Sequence, residues 1–234
     1  MFWQESPEET AVAIPDDVVD VLFSLQCRSL PVDHAWGLSQ ALLRLAPWLE
    51  GTPECAVHTV HVAGSQNGWE RPAAASGQHL LLSRRTRLAI RVPRARLATL
   101  KSALEEQDLE VAGCPLHIGR GKERPLSRET TLFARYVVAA AARPAAVETE
   151  DAFLTWAAAE LASMGIRIRK ALCGKTTALN TPAGPIPTRS LLLANLTAEE
   201  SLRLQRQGLG PHRAMGCGIF IPHKGIEAVA KSHN

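Results

Sequence analysis

Three stretches of the 234-residue sequence hold side chains that could act on a phosphate chain. In PVDHAWGLSQALLRLAPWL, residues 31–49, His34 occupies the opening turn of an expected helix. Helix-terminal amides attract anions, and histidine changes charge between about pH 5 and 8, so a histidine there could meet a phosphate and exchange a proton. His34 also lies on the helix's apolar stripe, four residues before Leu38 and seven before Ala41, which equally suits a packed histidine. In SRRTRLAIRV, residues 83–92, strand alternation puts Leu88, Ile90 and Val92 on one face and Arg85, Arg87 and Arg91 on the other. Such a row can track phosphates or can form a solvated face. In QRQGLGPHRAMGCGIFIPHKGI, residues 205–226, Gly208, Gly210, Gly216 and Gly218 bracket Pro211, His212 and Arg213. Glycines let backbone amides approach a phosphate chain, and the same pattern also serves as a helix C-cap with a turn and bulge. The order helix, loop, strand is the reverse of a dinucleotide fingerprint or P-loop, so no nucleotide cofactor is expected.

The remaining chemistry-bearing residues point less strongly. His58 and His61 sit at odd spacing on an expected strand, hence on opposite faces, and read as structural. Tyr136, the only tyrosine, falls within a strand and reads as core. Five cysteines, Cys27, Cys55, Cys114, Cys173 and Cys217, are scattered without a CxxC pair, which argues against a disulfide framework or a structural metal site.

Charge is distributed unevenly. Residues 1–20 hold six acids and no base, whereas residues 84–135 hold twelve Lys or Arg against six Asp or Glu. Arginine outnumbers lysine twenty to six, and its planar fork suits phosphates and stacks on bases, so an anionic polymer is a fitting partner. Arg120 and Lys122, with Arg124, could extend the basic row or merely solubilise a loop. The apolar runs are far shorter than the roughly 20 residues that cross a bilayer. The acidic start lacks the features of a secretory signal, so a cytoplasmic location without membrane contact is expected.

These residues need a frame. Residues 18–26 read as a buried strand, a helix follows Asp33 as cap, and AVHTVHVA at 56–63 pairs with a strand at 80–92. Pro93 opens a helix, and DLEVAGCPLHIG adds a strand bent at Gly113. After a polar connector the order recurs: strand 131–140, helix 146–165, strands at IRIRKAL and SLLLANL, helix 198–207 and strand 217–222. Two βαββαβ units make an α+β protein of tandem ferredoxin-like domains with a central cleft. The expected divisions are an acidic segment 1–17, a first domain 18–119, a basic connector 120–130 and a second domain 131–234 with the glycine-rich loop.

Taken together, the 31–49 helix, the LLLSRRTRLAIRVPRARL strand, TLFARYV and the TRSLLLANL to IPHKGI block resemble the CRISPR-associated endoribonucleases of the RAMP superfamily, MYXAN subtype. The resemblance covers roughly residues 18–229. It implies two ferredoxin-like domains, a CRISPR repeat RNA as substrate, and metal-free attack of a ribose 2′-OH on the adjacent phosphate, leaving a cyclic phosphate. His34 stands at the position of the family's catalytic histidine. The tyrosine or lysine that frequently accompanies it is replaced by Trp36 and Ser39, leaving Arg213 or Lys224 to steady the charge of the reaction. Arg85, Arg87, Arg91, Arg120, Lys122 and the four loop glycines become the RNA contacts, and other subunits of a CRISPR effector complex become partners. Two further readings fit the residues: a repeat-RNA-binding assembly subunit that does not cut, and an unrelated interaction module whose arginines form a solvated face.

Overall fold

The structure, a computed structural model, describes residues 17–61, 78–139 and 149–223. The expected acidic segment (apart from Asp17), the loop at 64–77 and Lys224 lie outside those residues.

The first lobe runs β1 (Val18–Gln26), β2 (Ser29–Pro31), α1 (Ala35–Leu45), α2 (Trp48–Gly51), β3 (Ala56–Val57), β4 (His79–Leu81), β5 (Arg87–Pro93), α3 (Leu97–Leu104), β6 (Gln107–Val111) and β7 (Cys114–Pro125). Its main sheet has the order β3-β5-β1-β7-β6, all neighbours antiparallel. The second lobe runs β8 (Leu132–Val137), α4 (Glu150–Ser163), β9 (Lys170–Cys173), β10 (Thr177–Thr181), β11 (Gly184–Ala194), α5 (Ala198–Gln207) and β12 (Ile221–Pro222). There β9 and β10 both pair with β11, β11 with β8, and β8 with β12. Counting the strands of each βαββαβ unit in chain order, both sheets read 2-3-1-4. Both lobes are therefore ferredoxin-like, as the alternation of elements implies.

Alternation along β1 builds the first core. Val19, Val21, Phe23 and Leu25 point inward and meet Leu88, Ile90 and Val92 of β5, with Leu38, Ala41 and Leu42 of α1 and Leu100 and Leu104 of α3 closing the layer. Each such fully buried aliphatic or phenyl side chain contributes about 1.5–3 kcal/mol. In the second lobe Phe153, Trp156 and Leu161 of α4 and Leu204 of α5 cover Leu132, Ala134, Leu191 and Leu193. Helix α5 opens on a capping box in which Thr197 and Glu200 exchange side-chain-to-amide hydrogen bonds.

Several local expectations are corrected. The expected strand at 80–92 is two: Thr86 N–H donates to the Ser83 carbonyl, and β4 leaves the sheet to pair with β2. Ser83, Arg84, Arg85 and Thr86 carry no apolar side chain to hold them in a core strand. Pro93 ends β5, and a 3-10 turn at Arg94–Arg96 precedes α3. DLEVAGCPLHIG is a hairpin, turning at Ala112 (φ 50°) and Gly113 (φ 78°). Residues 120–125 of the expected connector are the second half of β7, in register with β1 from Phe23 opposite Gly121 to Val19 opposite Pro125. Asp33 does not cap α1. His34 takes the N-cap position, and the Asp33 carboxylate instead accepts from Asn180 Nδ2 of the second lobe at 2.6 Å.

Among the described residues no helix is long and apolar enough to cross a membrane. The lobes meet through apolar contacts of Val18 and Leu126 with Leu202, and of Ala35 with Val138, Leu179 and Cys217.

Candidate functional site

The face of the first sheet opposite its core is basic. Strand register places Arg87 across from Ser24, and Lys122 across from Leu22 on the other side of β1. Arg120 shares the parity of Lys122 along β7. Arg87, Arg120 and Lys122 are all exposed, so one open face carries three cations contributed by two strands that flank β1. Arg84 and Arg85 sit exposed in the turn leading into β5. Arg87 Nη1 donates to the Arg84 carbonyl at 2.8 Å, and Arg84 helps line a shallow groove with Ser24, Gln26 and Cys27. Arg84 belongs to this surface although the sequence reading passed over it.

Arg91 shares the parity of Arg87 but not its exposure; it is fully buried. Its fork grips Asp20 on β1, Nε to Oδ1 at 2.8 Å and Nη2 to Oδ2 at 3.2 Å. Its Nη1 crosses to the second lobe and donates to the carbonyls of Gln205 at 2.5 Å and Phe220 at 3.4 Å. Arg91, expected as an RNA contact, is thus fully buried against the second lobe, with each of its three nitrogens already donating. Burial alone would raise the Asp20 carboxyl, but the charges of Arg91 and His58 hold it well below the usual carboxylate range. Burial pushes His58 down, against the pull of Asp20 3.5 Å away. Arg124 donates to Asp20 from the solvent side at 3.0 Å.

His34 is also fully buried. Its Nδ1 lies 2.9 Å from the Pro31 carbonyl, and its Nε2 accepts from the Val60 amide at 3.0 Å. That pairing requires the neutral ring with its proton on Nδ1, and it uses the lone pair that a base needs. In this arrangement His34 fastens the start of α1 to the 58–60 segment, the packed arrangement of the two that its spacing allows.

The glycine-rich loop is a packed joint. Gly208, Gly216 and Gly218 are buried, and their amides bond to Leu204, Arg213 and Tyr136 carbonyls, so they are unavailable to a phosphate. Gly210 alone of the four is exposed. Gly208, with φ 68°, is required because a Cβ there would lie 2.5 Å from the Gly218 carbonyl oxygen. Gly216, with φ 86°, sits against Thr59 of the first lobe, where a Cβ would come within 2.6 Å of Thr59 Cγ2.

Arg213 crosses this joint. Its Nε donates to the Cys55 carbonyl at 3.2 Å and its Nη2 to the Arg206 carbonyl at 3.1 Å, while Nη1 is buried without a hydrogen-bond partner among the described residues. Burial, helped by the charge of Arg91, lowers its pKa to about 10. Burial likewise pushes the Cys55 thiol up to about 11. Between α1, α2 and the loop lies a cavity of about 260 Å³ lined by Ser39, Gln40, Thr52, Cys55, His212 and Arg213, among others. Among the described residues no group of three or more His, Cys, Asp or Glu could hold a metal ion.

A basic open sheet on one of two ferredoxin-like lobes and a glycine-rich joint between them agree with what the whole chain matches: the Cas6 Crispr family model aligns with residues 19–225. The chain belongs to the Cas6 Crispr family. A CRISPR-associated endonuclease Cas6 of Myxococcus xanthus is 32% identical over 215 residues, covering 92% of this chain and 85% of the relative. Among solved structures, a CRISPR-associated protein Cas6 aligns with TM-score 0.60 at 10% identity, covering 88% of this chain and all of the other. A Cas6-related protein from Pyrococcus furiosus aligns with TM-score 0.58 at 12% identity, covering 87% and 97%. At those identities the structural likenesses establish the fold.

Within this Cas6 chain the sequence-expected residues separate into three places. Arg85, Arg87, Arg120 and Lys122 share the open basic side, Arg91 and His34 are interior, and Arg213 with Gly208, Gly210, Gly216 and Gly218 forms the joint. His212, named within the glycine block but given no role of its own there, stands at the cavity rim, exposed and in the left-handed region at φ 64°.

Proposed function

We propose that this Cas6 chain is a metal-independent endoribonuclease that binds the hairpin of a CRISPR repeat RNA and cuts the precursor transcript by 2′-OH attack, leaving guide RNA with a cyclic phosphate. The observation that carries the reading is the exposed row of Arg87, Arg120 and Lys122 on one sheet face of a Cas6-family chain. Cations on a sheet face suit an A-form backbone, which proteins read by phosphate and shape, with sequence read in single-stranded flanks. The M. xanthus relative is named an endonuclease, which supports the cutting activity. Arg85 and Arg84 extend the phosphate track, and Arg213 with Lys224 supplies positive charge near the scissile phosphate. A cut product that stays bound would bring the protein into an effector complex with other subunits in the cytoplasm.

The burial of His34 favours a second reading, a subunit that binds repeat RNA without cutting it. End-labelled repeat RNA from the same genome, incubated with the protein in excess EDTA, separates the two. Site-specific cutting with a cyclic phosphate end supports the nuclease. Tight binding with intact RNA selects the assembly subunit, and cutting that EDTA abolishes overturns metal independence.

A further inference from the structure

The cavity between the lobes gathers what a phosphate-transfer centre needs. It is lined by Ser39, whose buried Oγ lacks a hydrogen-bond partner among the described residues, and by Arg213, whose Nη1 is in the same state. Buried donors left unpaired are costly and call for a ligand or a water. The volume of about 260 Å³ approaches that of small-ligand sites. Pro211 and His212 at its rim are exposed, so it opens to solvent. His212 also adopts φ 64° and ψ 35°, a conformation uncommon outside glycine, and the loop holds it there through bonds from the Met215 and Cys217 amides to its carbonyl.

Resting on the nuclease reading above, we propose that His212 is the catalytic base of this protein and that the Ser39–Arg213 cavity receives the scissile phosphate. The neutral imidazole removes the 2′-OH proton as the 2′-oxygen bonds to phosphorus. The bond from phosphorus to the 5′-oxygen breaks, and that oxygen takes a proton from water at the open rim, whose hydroxide takes up the proton that the imidazolium carries. Ser39 Oγ–H and Arg213 Nη1–H donate to the non-bridging oxygens, where the charge of the phosphorane gathers. The other titratable groups lining the cavity are Glu50 of α2 and Cys55.

The test is single-turnover cleavage of labelled repeat RNA at saturating protein in EDTA, from about pH 5 to 8, where a histidine changes charge. His212→Asn keeps a residue that tolerates the left-handed region, and His212→Gly removes the side chain at no backbone cost. Both should bind RNA as wild type does, cut about 10²–10⁴-fold more slowly, lose the rise of rate with pH, and recover part of it with added imidazole. Either variant cutting within about twofold of wild type, or keeping the pH rise, overturns the assignment. A wild-type protein that cuts no repeat RNA at all overturns the nuclease reading and this one with it.

Discussion

One face of the first sheet has two ends with opposite fates. At the open end Arg87, Arg120 and Lys122 stand in solvent; at the covered end Asp20, Arg91 and His58 are buried beneath the second lobe. Arg87 and Arg91 lie on the same strand, four residues apart and with the same parity. Residue type and strand phase therefore do not decide what an arginine does here. Coverage by the second lobe decides it, leaving one cation in solvent and making the other a fastener.

The comparison breaks most sharply on stability. Arg91→Ala strands the Asp20 carboxylate in the interior and should cost about 3–5 kcal/mol in urea unfolding, whereas Arg87→Ala should change it by no more than about 0.5 kcal/mol. Equal costs would mean that the covered end is not a buried ion pair. His34→Ala should come next, at about 1–3 kcal/mol, because it leaves the Val60 amide and the Pro31 carbonyl without their partner. A thermal melt of the variant checks this. An unchanged melting temperature with abolished cutting would return His34 to the reaction.

The open end should reveal itself in salt rather than in stability. Each of Arg87→Ala, Arg120→Ala and Lys122→Ala should reduce the slope of log affinity against log salt by about one, read by fluorescence anisotropy with repeat RNA. Slopes that match wild type would remove this face from the RNA path. The smallest effect belongs to Glu200, where the second lobe repeats the covered end's ionic logic. Burial would raise its carboxyl, but the Arg169 guanidinium and the amides of Thr197 and Arg167 bring it down to about 2. A folded pKa below the unfolded value of about 4.3 means that this contribution is complete above that value and is lost as pH falls towards 2. Glu200→Gln should flatten that limb of an acid titration followed by circular dichroism.

Much of this was legible in the residues. Alternation in VVDVLFSLQ and the helical spacing of Leu38, Ala41 and Leu42 were enough to place β1 and α1, and the recurrence of βαββαβ carried the fold. Strand phase put Arg91 on the correct face, but nothing local told that a carbonyl of Gln205, 114 residues away, would meet it. Asp20, a lone acid in an apolar strand, was the available signal of a buried partner. The spacing of His34 allowed a packed residue or a catalytic one, and its bond from the Val60 amide depends on tertiary structure that the spacing does not carry. The β10–β11 hairpin escaped because TALNTPAGPIPT is too polar and proline-rich to read as strands; it is held by pairing from Thr177 opposite Thr188 to Thr181 opposite Gly184. The glycines of the joint were conspicuous, but their spacing said nothing of whether their amides faced a ligand or the protein.

The guanidinium of Arg91 finds its last acceptors only on the other lobe, and Arg213 finds one of its own only at Cys55. Each half of the chain is consequently an incomplete protein, however closely it follows a self-sufficient fold. Cut apart in the 126–130 segment, the halves would leave Arg91 Nη1 and Arg213 Nε without their cross-lobe acceptors and would uncover the apolar patch of Val18, Leu126 and Leu202. Unfolding of the intact chain should accordingly proceed as one cooperative event, and an evolutionary exchange of one lobe for a relative's would have to carry the carbonyl positions as well as the core.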